Sequence, residues 1–232
     1  MLAQTNWERP LYMSMTVGGD NYLSSLSDFF VQEGLAYRIT PFNWKKLGYN
    51  DAYGNVVADT ERFYHNVMNR FKFGGLKESP DYYVDETINR MVLTHRRLLS
   101  SLAVQLYAEG KHSQALAVLD RTEEELPSSL VPHEYFSAMD MSEIYMNLGE
   151  HEKARAIIEP FADTQIEYLN WYNSLSGRHY NMSINNLIMH VRYLQEIAKL
   201  LEKGGEEYKG LYLKYAEEFG RQYEAITRRI KL

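Results

Sequence analysis

Three glycines constrain this chain more than any other feature. Gly110, Gly149 and Gly205 each close a stretch of helical periodicity, and their surroundings match. Seven residues before them stand Ala103, Ser142 and Ala198, all small. Four before stand Leu106, Tyr145 and Leu201, all large. Five after stand Ala115, Ala154 and Gly210, small again. The coincidence has a physical cause. Antiparallel helices joined by a short turn approach to about 8–10 Å only where small side chains face each other. Glycine takes the left-handed turn conformation at no steric cost. A helical hairpin is therefore predicted at each glycine. Leu98–Pro127 is the fullest copy, with a second helix over Ser113–Glu125 and a proline beyond it. The second copy runs through Phe161. The third has Lys214 and Glu217 where apolar residues are expected, yet keeps a stripe of Leu211, Tyr215 and Phe219. The longer interval before Gly205 leaves room for one extra helix, Thr164–Leu175. The last helix would cap the array.

The pattern resembles the tetratricopeptide repeat, a hairpin with small residues at its seam and a period near 34 residues. The fold predicted is mainly α: a tetratricopeptide-like α–α hairpin superhelix with a small N-terminal irregular and β portion. The chain changes character near residue 56, which divides it into an irregular segment, 1–55, and a helical-repeat domain, 56–232. Within the first, Arg9–Val17 and Leu35–Phe42 read as strands able to pair, the first of them an edge strand. Gly18–Asn21 reads as a turn, and Tyr22–Phe30 as a short helix. Asp59–Phe71 has helical spacing at Phe63, Val67 and Phe71. A long helix follows over Asp85–Glu109, with Asp85, Glu86 and Thr87 complementing its positive end.

Composition removes several function classes. The 232 residues are 45% hydrophobic, enough for a full core. A net charge of -6 argues against nucleic acid as a partner, because phosphate binding needs a basic face. With no cysteine there is no disulfide, thiolate zinc site or cysteine nucleophile. The most apolar run, Leu98–Ala108, is well short of the roughly 18–20 residues a membrane span needs. The first residues lack the basic and apolar regions of a signal peptide. The histidines are scattered, none in a His-x-x-x-His or His-Glu-x-x-His pattern. Gly18–Gly19 lack the lysine of a phosphate loop, and no Gly-x-Ser-x-Gly elbow occurs. Carboxylate pairs such as Glu123–Glu125 read as solvated helix faces. Asn181–Ser183 matches the N-glycosylation triplet, a pattern common by chance. No catalytic residue, metal site or cofactor is assigned.

Helical-repeat arrays bind through the groove lined by the first helix of each hairpin. If the seam residues face inward, the opposite face carries Arg97, Ser100, Val104 and Tyr107 in the first hairpin. It carries Phe136, Met139, Glu143, Met146 and Asn147 in the second, and Arg192, Gln195, Lys199 and Glu202 in the third. Aromatic, amide and charged groups in this mix suit an extended polypeptide. Arg97, Ser100, Tyr107, Glu143, Asn147, Arg192 and Gln195 are the candidate partner-binding residues. The same face would equally serve to pack against the N-terminal part of the chain. Two other functions stay open: carbohydrate contact through Trp44, Trp171 and Tyr172, and a purely structural brace.

The ordered series "NWERPLYMSMTVGGDNYL", "FFVQEGLAYRITPF", "DTERFYHNVMNRFKFGG" and "YYVDETINRM", followed by the hairpin, resembles the C-terminal region of a family of Bacteroidetes membrane proteins. These join a multi-pass region similar to protein O-mannosyltransferases to tetratricopeptide-like repeats. The resemblance covers roughly Asn6 to Phe161. It implies that this chain is the periplasmic tail of a larger, glycosyltransferase-like parent whose membrane region is a partner. It also implies that any catalytic residues belong to that membrane region, so that this chain is itself no enzyme.

Overall fold

The computed structural model describes residues 4, 6–16, 26–48, 57–78 and 81–230, and among them seven α-helices and four strands. The fold is mainly α with a small N-terminal sheet. The chain divides into two compact units: Met1–Ser79 with Leu98–Glu125, and Pro80–Arg97 with Leu126–Leu232.

The first unit opens with strands β1 (Tyr12–Ser14), β2 (Phe30–Gln32), β3 (Ala36–Ile39) and β4 (Val57–Ala58) in the order β1-β3-β2-β4. The two strands expected from sequence do pair: β1 runs antiparallel to β3, with Tyr12 opposite Arg38 and Ser14 opposite Ala36. β2 is a correction. The expected helix ending at Phe30 is, in its described part, a single 3-10 turn over Ser27–Phe29, after which Phe30 opens a strand. Phe30 and Val31 are both buried, so this strand carries no alternation for a sequence reading to detect. The turn expected at 18–21 lies outside the described residues. Helix α1 (Thr60–Asn69) starts where the Asp59 side chain accepts a hydrogen bond from the Arg62 backbone N–H, and it buries Phe63 and Val67.

Helix α2 (Glu86–Ala108) contributes its second half to this unit, where it meets α3 (His112–Glu125). At their junction Lys111 N–H donates to the Leu106 carbonyl (2.8 Å) and Gly110 N–H to that of Tyr107 (2.9 Å). With φ +77° at Gly110, this is a Schellman turn. Ala103, Leu106, Ala115 and Leu119 are fully buried, as the small-residue seam requires. Helix α1 is tied to this hairpin by Thr60 Oγ1 donating to the Glu109 carboxylate (2.8 Å), by a Lys111–Glu61 ion pair (2.6 Å) and by Arg121 donating to the Met68 carbonyl (2.8 Å).

The second unit holds α4 (Tyr135–Asn147), α5 (His151–Ser174), α6 (Gly177–Lys203) and α7 (Lys209–Ile230). The α4–α5 turn repeats the first in every bond. Glu150 N–H donates to Tyr145 O (2.9 Å), Gly149 N–H donates to Met146 O (3.1 Å), and φ is +80° at Gly149. Ser142 and Ala154 are buried at its seam.

The α6–α7 junction is built differently. Gly205 again has positive φ (+69°), but a 3-10 turn over Gly205–Tyr208 precedes α7. Gly210, expected at the seam, is exposed, with nothing near the position of a Cβ. Tyr208 is buried instead, and its hydroxyl hydrogen-bonds with His151 Nδ1 at 3.0 Å. Gly204 leaves the space: a Cβ there would lie 2.4 Å from Met146 Cε and 2.5 Å from Tyr208 Cδ2.

The extra helix expected over Thr164–Leu175 does not exist as a separate element, because α5 runs unbroken from His151 to Ser174 through Pro160. An interior proline costs a helix about 3 kcal/mol or more. The buried stripe on both sides of it, with Ile157, Ile158 and Phe161 followed by Leu169 and Tyr172, outweighs that at about 1.5–3 kcal/mol per large apolar side chain.

Candidate partner-binding face

Helices α4, α5 and α6 pack side by side in the second unit, and aromatic rings mark where they meet. Tyr135, the first residue of α4, stacks on Tyr193 of α6 with centroids 4.1 Å apart, and both rings lean on Phe161 of α5. Tyr193 meets His190 edge-on, and His190 stacks on Tyr168 of α5 (4.7 Å). Helix geometry dictates this run. Residues three and four apart share a face, so His190 and Tyr193 on α6 present rings to Tyr168, Tyr172 and Phe161 on α5. His190 Nδ1 lies 2.7 Å from Gln165 Oε1, whose own amide nitrogen donates to Phe161 O. The Gln165 oxygen can only accept, so Nδ1 carries the proton. Burial holds the imidazole pKa below its usual value. Burial, and after it Glu196, raises that of Tyr135.

At the surface this aromatic run borders the face predicted from the sequence. Phe136 is 42% exposed. The Arg97 guanidinium, on the first half of α2 in the same unit, lies 4.0 Å from its ring centroid, a cation–π geometry. Further along, Glu143 of α4 pairs with Lys203 of α6 at 3.6 Å. Arg192 and Asn147 are exposed, and Gln195 is half-buried. Five of the seven predicted residues, Arg97, Glu143, Asn147, Arg192 and Gln195, therefore belong to the second unit.

The other two belong to the first. Tyr107 is half-buried and stacks on His112 (4.7 Å). Ser100 is fully buried, at 0% exposure, so it does not line the surface and is withdrawn from the face. Met146 is buried as well, against Gly204. The aromatic members Tyr135, His190 and Tyr193 went unassigned in the sequence. Their signal was the frequency of tyrosine, 19 residues, but periodicity alone does not say which of them meet across helices.

The three rings considered for sugar stacking separate. Trp44 donates its indole N–H to Thr40 Oγ1 (2.9 Å) and packs edge-on to Phe42. Tyr172 is buried. Trp171 alone is open, at 55% exposure, and with Tyr168, Thr164 and Glu167 it lines a shallow cleft of about 400 Å³. Among the described residues no group of three or more His, Asp or Glu side chains is placed to hold a metal ion. No helix among them is long and apolar enough to cross a membrane.

Compared with known families, residues 1–60 match the profile of TMEM260-associated domain 2. The match spans all four strands and ends at the first residue of α1. No curated protein and no solved structure matches the chain.

Proposed function

We propose that this chain is a non-catalytic helical domain that binds polypeptide beside a membrane-embedded, glycosyltransferase-like partner region of the same parent protein. The observation that carries this reading is the surface of α4 and α6, where Arg97 lies over exposed Phe136 and Tyr135 stacks on Tyr193. Aromatic and arginine side chains on a firmly packed support are the composition of binding hot spots. The acid–base pair Glu143–Lys203 at the other end of the face supplies polar groups for main-chain amides. The transferase context draws support from the family matched at residues 1–60, because TMEM260 is an O-mannosyltransferase-like protein. A periplasmic location and a Bacteroidetes parent are part of the same proposal and rest on the sequence resemblance.

The test is anisotropy of a labelled, permanently unfolded polypeptide titrated with the purified chain. Phe136→Ala and Arg97→Glu should each weaken binding roughly tenfold or more, with circular dichroism unchanged. Failure of the unaltered chain to bind any extended polypeptide would end this reading.

A second reading has its own observation, the open Trp171 beside Tyr168 and Glu167. An indole face with a neighbouring carboxylate suits the C–H face and hydroxyls of a sugar. Tryptophan emission should then change on adding oligosaccharide, and Trp171→Ala should abolish the change.

A further inference from the structure

The first unit contains a cleft of about 770 Å³ that the polypeptide-binding reading does not use. One wall is the sheet at Tyr12 and the β2–β3 turn, and the other is α1 and Phe71. The turn is pressed close to Phe71. Gly34, at φ +134°, would place a Cβ 3.0 Å from that ring. The cleft lies within the size range of small-molecule sites, roughly 300–1,000 Å³.

Its charges decide what fits. Glu33 is buried, and its carboxylate accepts from the Tyr12 hydroxyl (2.9 Å), from Arg38 Nε and from Arg62 Nη1 (3.2 Å). That carboxylate accepts from these three donors, and it holds the Arg62 guanidinium against the cleft. Asp59 also lies 3.5 Å from Arg62, and Glu61 is paired with Lys111 at 2.6 Å. Each of these carboxylates thus has a cation. Arg70 has no counterpart: its guanidinium makes no ion pair or hydrogen bond among the described residues. Arg70 is the residue after α1; its backbone N–H donates to the Asn66 carbonyl (2.9 Å), but its guanidinium, which could serve the negative end of that helix, donates to none of the last carbonyls. Arg62 and Asn66 on α1 and Arg70 just past its end are spaced by four, so they follow one line over about 12 Å. Leu35, Ala36 and Phe71 supply apolar surface beside them.

We infer that this cleft binds a small ligand carrying an oxyanion, carboxylate or phosphate, on an apolar body, with Arg70 as the main anion contact and Arg62 as the second. The guanidinium fork matches either oxyanion with two parallel hydrogen bonds.

The test follows the arginine Nε–H signals of the full chain by NMR at constant ionic strength. Acetate, hexanoate, inorganic phosphate and hexyl phosphate are added in turn. Saturable shifts at Arg70 and Arg62 are expected, with each hexyl compound binding at least tenfold tighter than its bare ion. The tighter head group identifies the source as carboxylate or phosphate. Arg70→Gln should weaken the preferred ligand roughly tenfold at unchanged melting temperature. Shifts that rise linearly without saturation, or the same affinity in Arg70→Gln, would overturn the inference.

Discussion

Gly204→Ala tests the close packing at the α6–α7 junction. The backbone there is ordinary, with φ −69°, so alanine meets no conformational penalty. The obstacle is space. The added methyl would sit 2.4 Å from Met146 Cε and 2.5 Å from the Tyr208 ring, against contact distances near 3.5 Å. Met146 is nine-tenths buried and Tyr208 more so, which leaves neither room to swing away. Overpacking of this kind costs about 1–3 kcal/mol. Loss of glycine's freedom in the unfolded chain offsets about 0.5–1 kcal/mol of it. A net loss of about 1–2 kcal/mol corresponds to a melting temperature lower by roughly 2–8 °C for a chain of this size.

Urea unfolding of a double-mutant cycle provides the assay. Met146→Ala removes one of the two clashing atoms, so Gly204→Ala should cost less in that background, with a coupling of about 1 kcal/mol. Gly205→Ala is the control. Its φ is +69° and its Cβ would meet nothing, so its cost is conformational, about 1–2 kcal/mol, and should add independently to that of Met146→Ala. If Gly204→Ala proves neutral alone, or strictly additive with Met146→Ala, the steric reasoning fails.

Two further predictions concern stability. The His190 pKa is lowered by burial, so as pH falls below about 6.5 the unfolded chain takes up its proton first and stability declines until the folded imidazole also protonates. His190→Gln should remove that share of the decline, seen as a smaller drop in melting temperature between pH 7.5 and 5.5; parallel profiles would refute it. Pro160 is exposed within an unbroken helix, so Pro160→Ala should stabilise the chain by about 1–3 kcal/mol, and an unchanged or lower urea midpoint would contradict this.

Local chemistry made the first two hairpins legible. A Schellman turn needs a residue in the left-handed region, and close helices need alanine or serine at the seam, so Gly110 and Gly149 with Ala103, Ser142, Ala115 and Ala154 could be read directly. The third hairpin follows the rule only in part: Gly205 has positive φ and Ala198 is buried, but the seam across from it is not built as expected. Tyr208 fills the seam where Gly210 was expected, beside Gly204, which leaves room for it at the start of the same turn. The helix expected over Thr164–Leu175 rests on the long interval before Gly205, and spacing alone does not say whether such a stretch is separate; burial that continues on both sides of Pro160 makes it part of α5. Ser100 was placed outward because the most apolar stripe of α2 passes elsewhere. A helix buried on more than one side hides polar residues that a single stripe does not mark. The aromatic run from Tyr135 to Tyr168 joins three helices, and pairings of that kind have no signature in a single sequence.

Glu33 has a consequence for where this molecule can be cut. Its carboxylate is shared by a hydroxyl from β1, a guanidinium from β3 and another from α1, so it reports whether three separate segments have arrived. The family match stops at residue 60, two residues short of Arg62 and three short of buried Phe63. A fragment ending at that boundary would keep every strand, yet lose one donor to a buried charge and the helix beside it. The boundary at residue 60 follows sequence similarity, whereas the hydrogen bonds around Glu33 continue past it to Arg62.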